Sequence, residues 1–67
     1  MKIRIVEVPR EGYHCYRVEK KGWFSWNCLA TFPAQSKEAA RNGALLLAEK
    51  YVNPEIIYVE KKENGNS

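Results

Sequence analysis

The first apolar positions of the chain change parity. Ile3 and Ile5 share one side of an extended segment running from Lys2 to Val8, and Val6 and Val8 share the other. That pattern predicts either a bulge or a strand buried on both faces. Pro9-Arg10-Glu11-Gly12 carries turn chemistry and ends the segment. Tyr13 to Glu19 and Trp23 to Phe32 are rich in aromatic and β-forming residues, so Lys20-Lys21-Gly22 between them reads as a hairpin loop, and Pro33 closes the third strand.

Ser36 then stands as a helix N-cap before Lys37 and Glu38, and a helix is predicted to about Val52. Ala40, Ala44, Leu47 and Tyr51 recur at spacings of four, three and four, with Gly43 and Ala48 widening the stripe. Small residues along it let a helix sit close to a sheet, while Leu45 and Leu46 broaden the apolar arc towards more burial or towards a partner. Asn53 before Pro54 is a stop, because proline disfavours helical backbone at the residue before it. Glu55 to Lys61 reads as a last strand, with Ile57 and Val59 on one side and Ile56 and Tyr58 on the other. Residues 62–67 read as a disordered polar tail. The order β-β-β-α-β over residues 1–61 predicts one small α+β domain, an antiparallel sheet of three to four strands with one helix packed on one face.

Loop length sets the hairpin register, and the register decides which side chains share a face. A three-residue loop with Gly22 in the left-handed position pairs Val18 with Phe24, Tyr16 with Trp26 and His14 with Cys28. One face is then continuous and apolar, extended by Ala30 and Phe32, and is the natural seat for the helix. The other face collects Tyr13 with Leu29, Cys15 with Asn27, Arg17 with Ser25 and Glu19 with Trp23. A two-residue loop, Lys21-Gly22, instead sets Cys15 against Cys28 and Arg17 against Trp26. The longer loop is the favoured one, because aromatic and β-branched cross-strand pairs contribute roughly 0.2–1 kcal/mol each.

Charge and composition narrow the chemistry. Eleven Lys and Arg stand against eight acidic residues, all of them Glu, for a formal charge of +3. That tilts partners towards anionic surfaces. The longest apolar run, Ala44 to Ala48, is far short of the ~20 residues of a membrane span, and the first ten residues lack a signal peptide's apolar core. The expected location is the cytoplasm, with no membrane partner. Cys15 and Cys28 match no zinc spacing, and the favoured register puts them on opposite faces, so they read as small apolar fillers, with no metal. His14 has no Asp anywhere to orient it, and the four glycines are isolated from each other, so neither acid–base catalysis nor a phosphate loop has its cast. The reading is a non-enzymatic binding module without a cofactor.

The outward face so built carries Arg17, Ser25, Asn27, Thr31, Tyr13 and Trp23, with Lys20 and Lys21 at the hairpin end. Arg and Asn make bidentate contacts to base edges, Lys and hydroxyls hold phosphates, and aromatic rings stack on unpaired bases. A polar outward face is also what any half-solvated antiparallel sheet presents.

Gly12-Tyr13-His14-Cys15-Tyr16-Arg17, the hairpin, Thr31-Phe32 and the helix opening Ser36-Lys37-Glu38-Ala39 resemble the three-stranded-sheet-plus-helix DNA-binding domains of phage and transposon integrases, the arm-binding type related to plant AP2 domains. The resemblance covers residues 12–52. It implies a sheet laid in the major groove of duplex DNA, with base or phosphate contacts from Arg17, Ser25 and Asn27 and phosphate contacts from Lys20 and Lys21. The chain differs from that family by a strand after the helix and by Trp23-Phe24-Ser25-Trp26 where the family is usually richer in Arg and Lys. Ser36-Lys37-Glu38-Ala39-Ala40-Arg41 is similar to the start of the last helix of double-stranded-RNA-binding domains, which implies phosphate contacts from Lys37 and Arg41. The residues themselves support a second class of function. The aromatic segment around Trp23, the surplus leucines and a free sheet edge suit a protein-interaction module: a phage- or plasmid-type accessory protein that docks on a host protein or self-associates.

Overall fold

The computed structural model describes residues 1–60. It has the expected element order: β1 (Lys2–Glu7), β2 (His14–Lys21), β3 (Trp26–Ala34), α1 (Lys37–Ala48) and β4 (Glu55–Val59). The four strands form one sheet in the order β3-β2-β1-β4, and the helix covers one face of it, an α+β domain. β1 and β2 pair antiparallel, as do β2 and β3, whereas β4 runs parallel to β1. β3 therefore also points the same way as β4. A helix between two strands returns the chain to the end from which the first strand began, so β3-α1-β4 is a parallel crossover that steps over β2 and β1 to the far edge.

The core lies between the helix and the two central strands. Ile3, Ile5, Tyr16 and Val18 are fully buried and meet the alanine stripe Ala40, Ala44 and Ala48, with Phe32, Ala34, Leu45, Leu47, Tyr51 and Ile56 packed around them. Small residues set the helix flush on the sheet. At Gly43 even a methyl group would lie 3.0 Å from a ring carbon of Phe32, so glycine is what lets the helix backbone approach this aromatic. Ser36 caps the helix as its sequence predicts, its hydroxyl oxygen accepting from the Ala39 amide at 3.1 Å. The helix stops at Ala48, four residues before the expected end. Lys50 and Tyr51 amides close tight bonds to the Leu47 and Ala48 carbonyls, and Asn53 takes a left-handed φ of 49°, which turns the chain back into β4.

The hairpin differs most from expectation. Its connection is not Lys20-Lys21-Gly22, because both lysines belong to β2. The apex is Trp23-Phe24, flanked by Gly22 and Ser25, with the Gly22 amide donating to the Ser25 carbonyl at 2.8 Å. Gly22 has no left-handed φ; that role falls to Gly12 in the β1–β2 turn, at φ 85°. Gly22 is small for a steric reason, since a Cβ there would meet the Asn27 amide nitrogen at 2.6 Å and the Ser25 carbonyl at 3.1 Å.

Tyr16 faces Phe32, Arg17 faces Thr31 and Val18 faces Ala30, and then the register shifts so that Glu19 faces Cys28, Lys20 faces Asn27 and Lys21 faces Trp26. Leu29 is the extra residue of a β-bulge. It explains the error. Trp26, Cys28, Ala30 and Phe32 have the same parity in sequence, but the bulge flips the sheet side between Cys28 and Ala30. Trp26 and Cys28 therefore lie with Glu19 and Lys21 on the open face, not under the helix, and Phe24 is at the apex. Cys15 and Cys28 consequently share the open face. Both thiols are free; Cys15 is buried as a filler should be, and Cys28 is exposed. β4 keeps the predicted alternation, with Ile56 towards the core and Ile57 and Val59 outward. The proposed tail, residues 62–67, lies outside the described residues.

Candidate nucleic-acid interface

The eight basic, polar and aromatic positions singled out in the sequence separate into three places. At the hairpin tip, Lys20, Lys21, Trp23 and Asn27 line one shallow open depression together with Gly22, and Ser25 closes the turn beside it. Trp23 and Phe24 are each 93% exposed, with ring centroids 6.5 Å apart and planes tilted by 44°. No Asp or Glu occurs between Lys20 and Lys37. The tip is thus aromatic, amide-bearing and basic, with no carboxylate of its own. Its lysines differ in setting: Lys20 is half-buried, while Lys21 is exposed with its ammonium 5.5 Å from the Trp26 ring centroid.

Arg17 occupies the middle of the open face. The pairing of β1 with β2 sets Arg4 opposite Glu19, and β2 alternation places Arg17 two residues from Glu19 on the same side. Glu19, 6% exposed, takes Arg4 Nε at 2.5 Å on one carboxylate oxygen and has Arg17 Nε 2.9 Å from the other. The Arg17 N–H is not aimed along that second contact, so it is an ion pair rather than an aligned hydrogen bond. The Arg4 guanidinium also lies over the Trp26 ring, 4.4 Å from its centroid. One buried carboxylate thus holds two arginines, and a partner at the face centre would have to compete with it. The sheet face predicted to read bases is already satisfied internally.

Lys37 and Arg41 stand at the opposite end. β3 starts at the tip and delivers the chain to α1 roughly 27 Å away, taking about 3.4 Å for each residue from Trp26 to Ala34. There Glu60 pairs with both, Lys37 Nζ at 3.6 Å and Arg41 Nε at 3.4 Å, and Arg41 also covers Tyr58 at 4.5 Å. Beneath them the Tyr16 hydroxyl is buried without a hydrogen-bond partner in good geometry among the described residues. Burial first, then the negative charges of Glu60 and Glu7, push this phenol up to about 12, with Arg41 opposing.

The structure therefore brings together Lys20, Lys21, Trp23, Ser25 and Asn27 and separates Arg17, Lys37 and Arg41 from them. Ser25 and Asn27 are not outward neighbours of Arg17 and Cys15, because the register that paired them does not form. The reading of the residues missed Phe24, assigned to the core, and the stacking of Arg4 on Trp26. The signal for the first was present: Gly22 and Ser25 bracket a two-residue turn, and Lys20-Lys21 continue the alternation of β2. Among the described residues no group of His, Cys and Glu side chains is placed to hold a metal ion, and no helix is long and apolar enough to cross a membrane. No protein-family model, curated protein or solved structure matches the chain.

Proposed function

We propose that this protein is a non-enzymatic nucleic-acid-binding module that makes its contact through the hairpin tip and not through the centre of the sheet. One observation carries the reading: two almost fully exposed aromatic side chains sit beside two lysines and an asparagine, in a stretch of chain that holds no carboxylate. Exposed Trp and Phe are costly to leave in water, and the charge around them suits a polyanion. Few phosphates can be neutralised by Lys20 and Lys21, so base stacking, worth about 1–3 kcal/mol per base, must supply much of the affinity. The proposal places the protein in the cytoplasm.

The test is binding of a mixed pool of labelled single- and double-stranded oligonucleotides at low salt, by the native chain and by Lys20→Ala/Lys21→Ala. Binding that weakens with salt and falls in the double variant supports the module; no binding of any oligonucleotide removes it. A second reading has its own observation. Val52, Ile57 and Val59 are exposed on and beside the edge strand β4, which suits addition of a strand from a host protein or from a second copy. Sedimentation that depends on protein concentration would favour that reading.

A further inference from the structure

Resting on that proposal, we infer that the tip takes unpaired nucleotides, with bases stacked on Trp23 and Phe24, and that duplex DNA or RNA is the poorer ligand. The two rings lie next to each other at the apex, centroids 6.5 Å apart and planes tilted by 44°, and each is almost fully exposed, so each offers a π-face on which a base can stack. Lys20 and Lys21 line the depression together with Trp23, where a phosphate of the same strand would lie, and Asn27, which also lines it, offers both a donor and an acceptor to a base edge.

A duplex presents its bases already stacked on each other. Opening a step to reach these rings would cancel most of what stacking returns. A duplex binder recovers that cost with many phosphate contacts, and four of the basic residues over the sheet are already committed to carboxylates. Arg4 and Arg17 are held by Glu19, and Lys37 and Arg41 by Glu60 at the other end of the sheet. Contact through the two lysines of the tip predicts a shallow salt dependence, with a logarithmic slope of about −1.4 for a single strand.

The experiment uses the full chain and three fluorescein-labelled probes: a twelve-nucleotide oligo-dT, a twelve-base-pair mixed-sequence duplex, and the separated strand of that duplex. Anisotropy gives affinity and Trp emission gives stacking, because Trp23 is solvent-exposed and a base laid on it quenches it. The expected result is binding of both single strands at least about tenfold tighter than the duplex, with quenching. Trp23→Ala and Phe24→Ala, each checked for an unchanged thermal midpoint, should each weaken binding about 5- to 150-fold. Trp23→Phe should recover most of the loss. Duplex binding equal to or tighter than single-strand binding would overturn the inference and leave the nucleic-acid reading standing. Single-strand binding unaffected by both alanine variants would also overturn it. Absence of binding to all three probes would overturn both, and self-association lost in the same variants would assign the tip to a protein contact instead.

Discussion

The two ends of the β2–β3 hairpin are built from the same kinds of residue and do opposite things with them. Where the hairpin lies under α1, Tyr16, Val18 and Phe32 face the helix and lose their surface to the alanine stripe. Eight residues further along the ribbon from Phe32, the aromatic pair Trp23-Phe24 meets nothing but its own neighbours. The basic residues divide in the same way. Arg4, Arg17 and Arg41 are tied to a glutamate, Glu19 or Glu60, whereas Lys20 and Lys21 at the tip form no ion pair among the described residues. Stability is thus concentrated in one half of the molecule, and uncommitted binding chemistry in the other.

Substitution should break this contrast most sharply at the core. Ile5→Ala removes a fully buried side chain beside the helix and is expected to cost about 2–5 kcal/mol, enough to unfold much of a domain this small at ambient temperature. Chemical denaturation followed by circular dichroism measures it. Trp23→Ala, despite deleting a larger side chain, should shift stability by less than about 0.5 kcal/mol, because there is almost no buried surface to lose. Equal costs for the two would show that the tip packs against the body after all.

Tyr16 supplies the next largest effect. Its phenol titrates near 10 when unfolded and at about 12 in the fold, so the folded state retains the proton longer. The stabilisation is fully present below pH 10 and is lost as pH rises through 12, a decline of about 2–3 kcal/mol in unfolding free energy. Tyr16→Phe should remove that decline. It should also be close to neutral at pH 7, because the hydroxyl it deletes is buried without a well-made hydrogen bond. Denaturant melts at pH 7 and across pH 9.5–11.5 separate the two expectations.

Glu19→Gln sharpens the electrostatic half of the comparison. It should destabilise the fold by about 1–2 kcal/mol, since a charged acceptor shared by two arginines becomes a neutral one, and the half-exposed arginines limit the loss by turning to water. Affinity for an oligonucleotide should rise and its salt dependence should steepen, as Arg4 and Arg17 become free to meet phosphates. Unchanged salt dependence would mean that the face centre is closed by packing and not by charge pairing.

Much of the fold could be read before any coordinates. Ser36 marks the start of the helix, because a hydroxyl ahead of an alanine-rich run satisfies an orphan amide locally. Ala40, Ala44 and Ala48 mark its inner face, and the alternation of Ile57 and Val59 with Ile56 and Tyr58 separates the two sides of β4. All of these depend on neighbours within a few residues. The site was legible only in part: Lys20, Lys21, Trp23, Ser25 and Asn27 do converge, but at a turn displaced from Lys20-Lys21-Gly22, and Phe24 was assigned to the core. The bulge at Leu29 leaves no local mark, and every face assignment between Trp26 and Cys28 inverts across it.

Residue order by itself determined which segments extend and which coil, since alternation, capping and proline placement act over a single turn or strand. Tertiary structure decided the hairpin register, the parallel placement of β4 and the fate of each charge. Those depend on which pairing lets Phe32 reach Gly43 under the helix and lets one glutamate serve two arginines, and such long-range contacts compete as whole arrangements rather than residue by residue.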